Sequence, residues 1–190
     1  MDFIITGAER SGTTMMAKQY KAKLEPKTMI AEYVAYMELR KWKDYNQIIR
    51  PDKLCNIGCG KSQKHSLNSD QNIYLLEFLK LKFPEHKFIY MIRDGRDVVK
   101  SMYLKQWGAR LRTGEINARP IQECVDQWNT VIDKTYHWAE KNAIIVRYED
   151  CDGRNKTESY TDVFTNSQIE FIENQIGYNL RRLGYNLTVK

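Results

Sequence analysis

"GAERSGTTMM" spans residues 7 to 16 and follows the apolar run Phe3-Ile4-Ile5 directly. Gly7 and Gly12 bracket four residues, the spacing of a phosphate-binding loop, but threonine stands at 13 where a nucleoside-triphosphate loop carries lysine. Glycines at these points let the backbone turn its N–H groups toward an anion, and a following helix adds the positive end of its dipole. Ser11, Thr13 and Thr14 add hydroxyl donors. Arg10 sets a guanidinium inside the loop, and its forked donors suit a phosphate or sulfuryl group. Such a loop needs a strand before it and a helix after it. Residues 3–6 accordingly read as a short buried strand and 12–24 as a helix.

Outward from the loop the same alternation recurs. "KFIYMI" (87–92) and "AIIV" (143–146) read as two more buried strands. The first precedes a helix over 96–105, and the second follows one over 120–141. A short strand at 28–30, helices at 33–47, 71–82 (stopped by Pro84) and 166–183, and polar loops at 51–69 and 152–163 complete the order. Strands alternating with helices predict an α/β fold: three layers, αβα, with a parallel sheet, in a single domain over 1–190. Ligands of such sheets bind beyond the carboxyl ends of the strands. Three charged clusters fall there, Glu9-Arg10-Ser11, Arg93-Asp94-Gly95-Arg96 and Arg147-Tyr148-Glu149-Asp150, which predicts that they surround one cleft.

Composition bounds the partners. Thirty basic against 24 acidic residues leave a net charge of +6. That excess favours an anionic ligand and is too small to argue for nucleic acid. No apolar run approaches the roughly 18 residues of a membrane span. The first apolar segment runs straight into glycine and charge, unlike a secretory signal. Cys55, Cys59, Cys124 and Cys151 are too scattered for a disulfide framework, so a reduced, cytoplasmic protein is expected. Cys55, Cys59 and His65 lack a fourth ligand, and no metal is expected.

"RSGTT" after a strand, joined later by "FIYMIRDGRDVVKSMY", resembles the sulfotransferase family that uses 3′-phosphoadenosine 5′-phosphosulfate (PAPS). Arginine in the loop and "RDGR" after the strand are most similar to its tyrosylprotein-type and bacterial branch. "RYED" after "AIIV", "CVDQWNTVIDKTY" and "FTNSQIEFIENQIGYNLRRLGY" resemble further family segments, so the likeness is spread over nearly the whole chain. It implies a P-loop-like fold and a metal-independent, in-line transfer of a sulfuryl group from PAPS to a hydroxyl, leaving 3′-phosphoadenosine 5′-phosphate (PAP). The acceptor, a sugar, another small molecule or a peptide tyrosine, stays open.

The resemblance also implies roles. Arg10 would contact the 5′-phosphosulfate and stabilise charge on its bridging oxygen, with Ser11, Gly12, Thr13 and Thr14 holding that end. Arg93 and Ser101, eight residues apart, would hold the 3′-phosphate, Lys105 adding a cation one helical turn on. Tyr148 would line the nucleotide pocket. Glu32 would be the general base, and Lys61 in "GCGKSQKHS" matches a family lysine; His65 is the alternative base. "GRNKTESYTDVFT" is shorter than the loop that closes over the 3′-phosphate in cytosolic members. Tyr160 stands there where tryptophan is common, and Arg154 and Lys156 are its cations. Two other classes share the loop: a P-loop nucleotide kinase, which the missing lysine disfavours, and a catalytically inactive PAP- or nucleotide-binding protein.

Overall fold

A computed structural model describes residues 3–13, 15–16, 76–77, 79–81, 83–104, 120–152 and 158–188. Three strands, β1 (Phe3–Gly7), β2 (Lys87–Ile92) and β3 (Ala143–Arg147), form a parallel sheet in the order β1-β2-β3. The register aligns Gly7 with Met91 and Met91 with Val146, so all three carboxyl ends reach one edge.

β2 is buried from Phe88 to Ile92 because it has a strand on each flank and side chains packed on both faces. That is why "KFIYMI" reads as a continuous apolar run rather than an alternation. Tyr90 and Ile92 join the core beneath three helices, α1 (Gly95–Leu104), α2 (Ile121–Asn142) and α3 (Asn166–Arg182). Ile89 and Met91 face the other way and pack with Ile5 and Met16. The period of two in the strand thus divides the core into two layers.

Each helix buries a stripe at helical spacing. In α2 the stripe runs through Cys124, Val125, Trp128, Val131, Ile132, Thr135, Tyr136 and Ala139. In α3 it runs through Ile169, Ile172, Ile176 and Leu180. α3 opens on a capping box in which Thr165 and Gln168 each satisfy the other's backbone N–H. It ends in a Schellman turn, with Tyr185 N donating to Leu180 O and Gly184 N to Arg181 O at a positive φ.

The expected α/β order is present, with boundaries displaced by a residue or so. One expectation fails. "AIIV" is half-exposed rather than buried, with Ile144 50% accessible, because β3 pairs only with β2 among the described residues. The helix expected over 12–24 begins in place: Met16 N donates to Gly12 O at 3.1 Å. Its remainder, and the elements expected at 28–30, 33–47 and 51–69, lie outside the described residues. Those described between 76 and 81 are helical, with Leu76 and Leu79 buried. The polar stretch expected at 152–163 contains a 3-10 turn, Tyr160–Asp162, capped by Ser159.

Candidate active site

β1 ends at Gly7, whose φ of 140° and approach to the Met91 carbonyl leave no room for a side chain. Ser11 N then donates to Ala8 O at 3.2 Å, closing a tight turn. Within it Arg10 has a φ of 67°, the left-handed region that non-glycine residues adopt only when neighbours hold them there. Gly12 follows at φ 88°, and the helix begins. Alternating backbone handedness of this kind turns successive N–H groups inward as an anion nest.

The second segment is the turn from β2 into α1. Asp94 caps α1 through its side chain, accepting from Arg96 N at 2.9 Å, so the strand passes into the helix without a linker. Ser101 therefore lies almost two turns along α1, near the loop. Arg10 Nε donates to Ser101 Oγ at 2.9 Å, and Arg93 Nη1 donates to the Arg10 carbonyl at 3.2 Å. Three residues separated by up to 91 positions in the chain thus meet in one place.

The third segment follows β3. The Tyr148 ring lies under the Arg93 guanidinium, 4.5 Å from its centroid. It also occupies the space beside Gly12, where any Cβ would come within 2.3 Å of Tyr148 Cδ2. Tyr148 thereby ties the end of β3 both to the loop and to the turn after β2. Next to it, Glu149 accepts from Asp94 N at 2.9 Å and from the Tyr185 hydroxyl at 2.8 Å. Burial and the adjacent Glu149 carboxylate raise the Tyr185 pKa well above the ordinary tyrosine value, so the phenol stays a donor.

Not every expected residue faces this site. Arg96 turns away, paired with Asp94 at 2.7 Å and Glu173 at 2.5 Å, donating to Thr188 Oγ1 and stacked against Tyr160. Burial alone would lower its pKa, but the Asp94 and Glu173 contacts raise it. Arg147 bonds the Leu183 carbonyl at 2.6 Å and stacks on Tyr185. Of the three charged clusters, Arg10, Arg93 and Tyr148 come together, whereas Arg96 and Arg147 turn to other partners. These two are held by α3 and the segment that follows it. Tyr160, at the position where the family's loop often has tryptophan, covers Arg96.

Ser11 and Thr13 are both enclosed, Ser11 wholly. Ser11 Oγ has no hydrogen-bond partner among the described residues, a buried polar atom in the loop that an anion's oxygen would satisfy. Thr14, Glu32, Lys61, His65, Lys105, Arg154 and Lys156 lie outside the described residues.

Two contacts were not legible in the sequence. Glu9 is 4% exposed and accepts from Gln127 Nε2 of α2 at 2.9 Å, a pairing across 118 residues. Glu149 links two strand ends, a contact that its place in the charged cluster after "AIIV" does not specify. Among the described residues no group of three or more His, Cys, Asp or Glu is placed to hold a metal, and no helix is long and apolar enough to cross a membrane.

Residues 29–158, more than half of the chain, match the profile of the Sulfotransferase family. The match takes in β2, α1, α2 and β3 and begins after the loop at 7–16. No curated protein matches the chain.

Proposed function

The chain belongs to the sulfotransferase family, and we propose that it transfers a sulfuryl group from PAPS to an acceptor hydroxyl, on a P-loop-like fold of the tyrosylprotein-type and bacterial kind. The observation that carries this reading is the meeting of Arg10, Arg93 and Ser101 at the carboxyl edge of a parallel sheet. The family match does not include the loop, so loop geometry and family membership support the reading independently.

PAPS would supply a sulfuryl group on an activated oxygen: the bond from sulfur to the 5′-phosphate oxygen breaks as the bond to the acceptor oxygen forms. The chain's own residues supply position and charge. Backbone of the loop, with Ser11, Gly12, Thr13 and Thr14, would hold the 5′ end. Arg93, steadied on Tyr148, and Ser101 would hold the 3′-phosphate, with Lys105 beyond them. Arg10 reaches Ser101 from within the loop, so its guanidinium would serve both anionic ends and offset the negative charge left on the 5′ side. Because these groups are tethered to one another in advance, little reorganisation accompanies transfer. Glu32 is proposed as the base that takes the acceptor's proton, with Lys61 beside the transferred group. The acceptor is a small molecule, a carbohydrate or a peptide, and no metal takes part in the proposed transfer. A reducing, cytoplasmic setting completes the reading.

Thermal stabilisation tests it. PAP at about 100 times its dissociation constant should stabilise the folded chain by about 2.7 kcal/mol. ATP with Mg²⁺ should do far less. Stabilisation by ATP with Mg²⁺ and none by PAP would refute the assignment in favour of a nucleotide kinase.

A further inference from the structure

The roles proposed above use Arg10 and Ser11 and leave Glu9 without one, although it lies in the same turn. A carboxylate beside an anion site opposes the ligand, and burying it is costly unless it is hydrogen-bonded. Glu9 is 4% exposed, and its Oε2 accepts from Gln127 Nε2 at 2.9 Å. That bond joins the loop to the second turn of α2.

The next residue of α2 braces the other segment. Trp128 is fully buried, and its ring lies against Gly95, the first residue of α1, where an added Cβ would be 2.7 Å from Cζ2. Gln127 and Trp128 are consecutive, so one turn of α2 holds the loop through a hydrogen bond and the start of α1 through a ring contact. The gap between loop and α1 is the one spanned by Arg10 Nε and Ser101 Oγ at 2.9 Å. Arg10 itself is held at a φ of 67°, a conformation that persists only under such constraint.

We propose that Gln127 is a positioning residue: through Glu9 it holds the loop in its anion-receiving conformation and, with Trp128, sets the spacing of the two phosphate-gripping segments. The inference rests on the sulfotransferase reading only for the identity of the anion.

A mutant cycle tests it. Gln127→Glu sets two carboxylates against each other and should weaken PAP binding by about tenfold or more, within the range of coupling between touching residues. Glu9→Gln combined with Gln127→Glu restores the bond with its polarity reversed and should recover affinity to within about threefold. Affinities are measured well below the melting temperature, where a merely structural role would leave them unmoved. Hydrogen exchange of the Ser11 amide, which donates to Ala8, should speed up in the single variant and slow again in the double one. Unchanged affinity and exchange in Gln127→Glu, or losses that the double variant does not recover, would overturn the inference. Running the cycle in parallel with inorganic pyrophosphate separates the two claims. A wild-type chain that ignores PAP but binds pyrophosphate sinks the PAPS assignment while the brace is still measured, and the exchange arm needs no ligand.

Discussion

Arg93 and Arg96 stand three positions apart in "RDGR", at the same strand end, and the structure gives them opposite employment. Arg96 meets two carboxylates, Asp94 and Glu173, and is covered by Tyr160. Arg93 leans on the Tyr148 ring and reaches the Arg10 carbonyl. A guanidinium matched by buried carboxylates is a structural tie, whereas Arg93, resting on a ring and a backbone carbonyl, lies against the loop that the proposed reading gives to an anion. Adjacent arginines in a motif therefore cannot be given one role from spacing alone.

Substitution separates the two. Arg96→Ala leaves Glu173 and Asp94 facing each other without their cation and should cost about 3–5 kcal/mol of stability. At roughly 2–4 °C per kcal/mol for a chain of this size, calorimetry should show a melting temperature lower by about 6–20 °C. Arg93→Ala should instead spare most of the stability and weaken PAP binding by about 10- to 150-fold, the loss of a charge-assisted contact of about 1.5–3 kcal/mol. Titration calorimetry that found PAP affinity intact in Arg93→Ala would erase the contrast, as would a melting temperature unmoved in Arg96→Ala.

Two smaller effects sharpen it. Gly12→Ala drives a Cβ into the Tyr148 ring at a positive φ and should cost about 1–3 kcal/mol, with PAP affinity falling alongside the melting temperature. Tyr185→Phe removes the bond to Glu149 and should cost about 1 kcal/mol at neutral pH. The Tyr185 pKa is raised in the folded chain, so its contribution is fully present below the ordinary tyrosine value of about 10 and is lost as pH rises beyond it. Urea titrations from pH 8 to 11 should show stability declining at the alkaline end in the wild type and a flatter limb in Tyr185→Phe.

Where local rules suffice, the sequence was a good guide. "KFIYMI" is β2 residue for residue, because an apolar run with no polar alternation suits a strand buried on both faces. α3 starts where Thr165 and Gln168 spell a capping box and stops where Gly184 supplies a left-handed turn. "AIIV" reads just as apolar as β2, yet β3 is half-exposed, since composition does not say which strand sits at the end of the described sheet. Spacing put Ser101 about two turns into α1 and within reach of Arg93's strand end. It did not show that Arg10 would be Ser101's hydrogen-bond partner.

The sequence by itself determined the order of strands and helices, the loop between Gly7 and Gly12, and membership in the sulfotransferase family, because periodicity, turn residues and motif spacing are local properties. Only the tertiary structure decided which groups each of these charged residues meets. That choice depends on partners brought from distant positions: Glu173 from α3 for Arg96, Tyr148 from beyond β3 for Arg93, Ser101 from α1 for Arg10, and Gln127 from α2 for Glu9. A charge takes its role from the groups that fold against it, and those lie up to 118 residues away in the chain.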